Sequence, residues 1–207
     1  MKKTLRFSLA AILAMMVAGC SIPGTPWGEQ EEKHVVSKIS LQEAAEKADT
    51  IMLDTISSVQ PPLNWVHYAP TESGCGNYTV DGKKTGAATR RAAVTTIVSE
   101  ERRGNLLGVL ERLWRKRGYE ITGTNPSKET PAIFARTPEE FRMSVKVGAK
   151  GQFFFSLATP CFTESEVAPP KTEANGTPFE GPKVPAPSVH SDFWSATTPI
   201  PSTSPAL

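Results

Sequence analysis

The sequence predicts an α+β domain: two helices packed on one face of a mostly antiparallel sheet of five to seven strands. Three features carry the prediction. Two segments place apolar residues at helical spacing, several short segments alternate apolar and polar residues, and turn signals separate those segments. The first helix starts at Ser40-Leu41-Gln42-Glu43, a capping box in which Ser and Glu satisfy each other's orphan backbone N–H groups. Leu41, Ala44, Ala45, Ala48, Ile51, Met52, Ile56 and Val59 then share one face, with Glu43, Glu46, Lys47, Asp49 and Asp54 opposite. Pro61-Pro62 ends it.

Residues 63–69 read as a strand anchored by Trp65. "ESGCGN" reads as a turn, Tyr78 to Val80 as a short strand, and Asp81-Gly82 as a hairpin turn. "ATRRAAVTTIV" (88–98) becomes β-branched and reads as another strand. A second helix begins near Glu100 and stops at Gly118, with Leu106, Leu107, Leu110, Leu113 and Trp114 on its apolar face. Short strands follow at 119–124, 133–136, 141–147 and 152–159, separated by "NPSK", "TPEE" and "GAKG". Phe141, Met143, Val145 and Val147 point one way and Arg142, Ser144 and Lys146 the other, which means a sheet covered on one face. The helices are expected on the side built by Phe141, Val145, Phe153 and Phe155.

The N-terminus supplies an address. Lys2, Lys3 and Arg6 precede an apolar run from Phe7 to Gly19. That run is about 13 residues, short of the roughly 20 that a spanning helix needs, and the pattern is that of a secretory signal peptide. It ends in Val17-Ala18-Gly19-Cys20, which resembles the bacterial lipobox. The resemblance implies S-diacylation of Cys20 and cleavage just before it, leaving the protein lipid-anchored on the extracytoplasmic face of the cell membrane. Each buried lipid methylene contributes ~0.8 kcal/mol, so two chains hold where one does not. The organisation read from the chain is therefore a signal peptide (1–19), a lipid anchor and flexible tether (20–39), the α+β domain (40–163) and a proline-rich tail (164–207) predicted to be disordered. The tether spans roughly 25 Å as a random coil. Nine of the 18 prolines fall in the tail, a composition that buries too little apolar surface to fold alone. Phe193 and Trp194 stand out in it, as aromatics that can dock on the domain or on a partner, or stay free.

The folded region, from about Glu43 to Cys161, also resembles a group of secreted lipoproteins from actinobacteria. The resemblance rests on the first helix, "PPLNW", "LWRKRGYEI", and Phe141 separated by eleven residues from "FFFSLATPC". That group has no assigned activity, so the resemblance bears on fold and location and implies no site residues.

With Cys20 lipidated, Cys75 and Cys161 remain, and an exported protein meets an oxidising compartment. A Cys75–Cys161 disulfide is expected; free thiols or a redox or metal pair are the alternatives. A chain holding no C-x-x-C and three histidines in all gives the last little support.

Composition narrows the partners. Lys2, Lys3 and Arg6 fall within the signal peptide, so the mature chain holds 20 basic and 21 acidic residues. A near-neutral exported chain argues against nucleic acid as a partner. Arg112, Arg115 and Lys116 share one side of the second helix. They read either as a basic patch for anionic headgroups or a wall polymer, or as a solvated helix end favoured by the macrodipole. His190, Ser191 and Asp192 match a hydrolase triad in type, but sequence neighbours point apart. Glu139 and Glu140 are likewise adjacent, where paired-acid catalysis needs carboxylates facing each other. The function expected is a small non-enzymatic binding or interaction module, with no cofactor and with an envelope protein or wall polymer as partner. The alternatives are an envelope-polymer hydrolase, which would set His67 beside an acid in a cleft, and a small-ligand or lipid carrier, which would need an apolar cavity.

Overall fold

The computed structural model describes residues 39–179 and 183–198, all within one compact unit, Val35–Leu207. The predicted signal peptide, Cys20 and the tether up to residue 38 lie outside the described residues. No helix among the described residues is long and apolar enough to cross a membrane.

Helix α1 is Leu41–Ser57, and its capping box forms as predicted: Glu43 N donates to Ser40 Oγ at 3.2 Å and Ser40 N to Glu43 Oε2 at 2.7 Å. Every apolar residue assigned to its inner face is buried. Helix α2 is Glu100–Lys116. It stops because Gly118 takes φ +77°, which lets Tyr119 N reach back to Trp114 O at 2.9 Å.

The strands are β1 (Trp65–His67), β2 (Thr71–Val80), β3 (Lys83–Val94), β4 (Glu120–Asn125), β5 (Ala132–Arg136), β6 (Arg142–Val147), β7 (Phe153–Ala158) and β8 (Phe162–Thr163). They form one sheet in the order β1-β3-β7-β6-β5-β4, with β2 and β8 also on β3, and every pair is antiparallel. Long β3 organises the sheet, pairing with β1 and β2 in succession along one side and with β7 and β8 along the other. Helix α1 lies over β3 and β7, and α2 over β4 and β5. Phe141, Val145, Phe153 and Phe155 meet the helices in a single apolar cluster that also holds Trp65 and Trp114. These rings pack between the helices and the sheet.

Two local expectations need correction. "ESGCGN" reverses no chain: it lies inside β2, where the register shifts between Gly74 and Thr79 and Gly76 at φ +63° absorbs the irregularity. The reversal is at Asp81-Gly82, φ +50° and +73°. The strand expected over 88–98 runs over 83–94 instead. Its start is extended by pairing with β2, and Thr95 and Thr96 turn away to donate to Asn64 O.

The tail also differs from its expectation. Residues 164–179 and 183–198 carry almost no regular structure, in keeping with their prolines, yet they lie against the domain as a strap. Ala168 N donates to Gln42 Oε1 (2.7 Å), and Ala168 O accepts from Arg90 (2.8 Å). Lys171 pairs with Glu46 (2.7 Å), and Asn175 Oδ1 caps Trp65 N (2.9 Å). Trp194 is 1% exposed in the main core and donates its indole N–H to Pro61 O at 2.7 Å. Phe193 stacks under buried Arg102, 4.9 Å from the guanidinium. The composition argument fails here because the segment contributes its few apolar side chains to a core it does not build. Residues 180–182 and 199–207 lie outside the described residues.

Candidate functional site

The helices cover one face of the sheet, and the other face carries the most distinctive chemistry. Because side chains alternate, burying Met143, Val145, Phe153, Phe155 and Ile133 turns Arg142, Ser144, Lys146, Phe154, Ser156 and Phe134 outward. Register then arranges them. Across one row, Arg91 of β3 stands opposite Ser156, Ser156 opposite Ser144, and Ser144 opposite Phe134. In the next row Phe154 stands opposite Lys146. In the row on the other side, Arg142 faces Arg136, and Arg136 faces Glu120.

Two serine hydroxyls thus sit side by side within a triangle of Arg91, Arg142 and Lys146. Arg142 and Lys146 are four residues apart on one strand, about 13 Å, and Arg91 lies two strands away, about 10 Å. Aromatic rings frame the triangle. Tyr68 meets Phe154 edge-on with centroids 5.8 Å apart, Arg91 lies 5.8 Å from the Tyr68 ring, and Lys146 lies 5.4 Å from the Phe134 ring. Two glycines make room. A Cβ on Gly148 would come within 2.7 Å of the Phe154 ring, and Phe134 leans over Gly123, 3.7 Å from where a Cβ would stand.

The charge on this face is unbalanced. Glu120 and Glu140 both bind Arg136, at 2.6 and 3.2 Å, and the Glu120 carboxylate raises the arginine's affinity for its proton. Arg91, Arg142 and Lys146 have no carboxylate partner among the described residues. Two of them lie against π faces, half-buried Arg91 against Tyr68 and exposed Lys146 against Phe134, contacts worth ~0.5–1 kcal/mol for an exposed cation.

The residues singled out from sequence fall elsewhere. Arg112, Arg115 and Lys116 lie exposed on α2, in the layer opposite this face, so one flat surface cannot engage both. Arg115 is taken by Glu111 at 2.8 Å, leaving Arg112 and Lys116 without ion pairs among the described residues. Arg117 is structural: it crosses to Asp54 O and Ser58 Oγ at the end of α1. Cys75 and Cys161 form the disulfide, tying β2 to the link between β7 and β8 with Cα atoms 6.2 Å apart. Glu139 and Glu140 diverge, to Lys47 (3.5 Å) and Arg136 respectively. His190 and Asp192 sit in an exposed turn, 3.6 Å apart, and Ser191 Oγ caps Trp194 N.

His67 does lie near an acid. It lines a cleft of about 360 Å³ with Glu173, Ala174 and Phe179, on the inner side of β1. Asp49 is behind it, 4% exposed, and its carboxyl is pushed up by burial against the opposing pull of Arg90. Asp49 faces Arg90 at 3.2 Å, though, and His67 Nδ1 is buried with no hydrogen-bond partner among the described residues. The imidazole's other nitrogen, Nε2, is occupied by the strap: Thr172 O at 2.8 Å and Thr172 Oγ1 at 3.1 Å. The acid–imidazole bond that orients a triad histidine is not made. A second concavity, about 410 Å³, lies between Leu41, Glu72, Gly86 and Glu164. No group of three metal-ligating side chains occurs among the described residues.

The open face was legible in part. The outward set Arg142, Ser144 and Lys146 is visible in the alternation of β6, whereas its juxtaposition with Arg91, Phe134 and Phe154 depends on strand order and register.

Comparisons with known proteins place little beside this chain. No family model matches it, and no curated protein does. Among solved structures it is similar to a DUF4853 family protein from Actinomyces odontolyticus, at 11% identity and a TM-score of 0.40, over 63% of this chain and 72% of that one.

Proposed function

We propose that this chain is an exported lipoprotein, held by diacylated Cys20 on the extracytoplasmic face of the cell membrane. Its domain acts as a non-enzymatic binding module that presents the open face of the sheet to another envelope component. The observation that supports this reading is the set of three cations without carboxylate partners among the described residues, placed among Tyr68, Phe134 and Phe154 around two opposed serines. Folding alone gives no reason to leave three like charges together on one face. A bound anion gives one, because the half-buried rings exclude water and strengthen charge pairing. The experiment is site-specific photo-crosslinking in intact cells, with the probe at Ser144 and a control probe at Arg112. The reading expects a discrete adduct from position 144 and none from 112. Adducts from 112 alone would move the binding surface to the helix.

A further inference from the structure

We infer that the ligand of the open face is an acidic polysaccharide, a chain of sugar rings bearing carboxylate or phosphate groups. This rests on the reading that the open face is the binding surface, and it names the chemistry of the occupant.

Three features of the face argue for it. Arg91, Arg142 and Lys146 have no carboxylate partner among the described residues and stand about 10–13 Å apart, so they match charges repeated along a chain better than one compact anion. Phe134, Phe154 and Tyr68 are half-buried, lying within the surface and offering apolar rings to the C–H faces of sugars. Ser144 and Ser156, directly opposed between them, supply donors and acceptors for ring hydroxyls.

The same features disfavour other occupants. A bilayer is engaged by apolar side chains that protrude beside cations, and the large exposed hydrophobics among the described residues, Ile97 and Phe193, are not among the side chains of this face. A protein interface centres on aromatic anchors and is poor in serine and lysine, while here two serines hold the centre, Lys146 stands at a corner and the rings lie at the margin.

The test uses the full lipidated protein in neutral-lipid nanodiscs. Binding is measured to polygalacturonate (carboxylate), a phosphomannan (phosphate), neutral dextran, phosphatidylglycerol vesicles and duplex DNA. At least one acidic glycan should bind about tenfold or more tighter than dextran, the vesicles or DNA, and weaken as salt rises from about 0.05 to about 0.5 M. Arg142→Gln/Lys146→Gln should lose about tenfold or more, and adding Arg91→Gln should lose more again. Phe154→Leu should weaken binding while leaving the salt dependence unchanged. Equal binding to dextran, tighter binding to vesicles or DNA, or full affinity in a double variant with a wild-type melting curve would each overturn the inference. If no acidic glycan binds while the adduct from position 144 persists in cells, the ligand class is wrong and the binding face stands. If both fail, the broader reading falls as well.

Discussion

Replacing Trp194 with alanine tests whether the strap belongs to the fold. The indole is 1% exposed and lies in the main apolar cluster. Burying a tryptophan removes about 200 Å² from water, which at about 25 cal/mol per Å² is an upper estimate of ~5 kcal/mol. Measured Trp→Ala costs in cores run ~3–5 kcal/mol, and the change also strips Pro61 O of its 2.7 Å hydrogen bond. A loss of about 4 kcal/mol in a chain of this size lowers Tm by on the order of 10 °C. Thermal unfolding of the full chain, followed by far-UV circular dichroism, reads this directly. Trp194→Phe keeps much of the burial but orphans the carbonyl, so it should cost an intermediate ~1–3 kcal/mol. A Tm shift in the alanine variant below about 2 °C would mean that Trp194 is not packed in solution, and the strap would have to be taken out of the account of stability.

Other perturbations probe the remaining contacts. Cys75→Ser opens a link across 86 residues, worth ~4–5 kcal/mol in the chain-entropy model, and should give a sharply lower melt that reducing agent reproduces in the wild type. Asp49→Ala leaves Arg90 charged and buried and should cost ~3–5 kcal/mol in urea denaturation, while Asp49→Leu/Arg90→Met should come back close to wild type. Burial pushes the Asp49 carboxyl up, so the folded state holds that proton more tightly than the unfolded state does. Its contribution to stability is present below the ordinary aspartate pKa and is lost as pH rises through the raised value; Asp49→Asn should flatten that part of the stability–pH profile. Cys20→Ala should move the protein out of the membrane fraction, and a variant that still sediments with membranes would point to another anchor.

Where local pattern and global fold agree, the chain could be read directly. The capping box at Ser40, the helix stop at Gly118, the hairpin turn at Asp81-Gly82 and the period-two core of β6 and β7 all depend on a few neighbouring residues. The turn residues around Cys75 misled because glycine serves a bulge as well as a reversal, and only the partner strand decides which. The strap was hidden for a different reason. Its contacts join Ala168 to Gln42, Asn175 to Trp65 and Trp194 to Pro61, all more than 100 residues apart, so composition reported an unfoldable segment while tertiary contacts hold it in place. The open face needed both kinds of information. Alternation gave each strand its outward residues, and the order β3-β7-β6-β5 brought them into one triangle.

Differential lysine acylation in intact cells tests the central claim most directly, because Lys146 and Lys116 are both exposed and lie on opposite layers of the domain. The account predicts that Lys146 is protected in cells relative to purified protein, while Lys116 reacts equally in both. Full reactivity of Lys146 in cells, with Lys116 protected instead, would contradict it and assign binding to the basic side of α2.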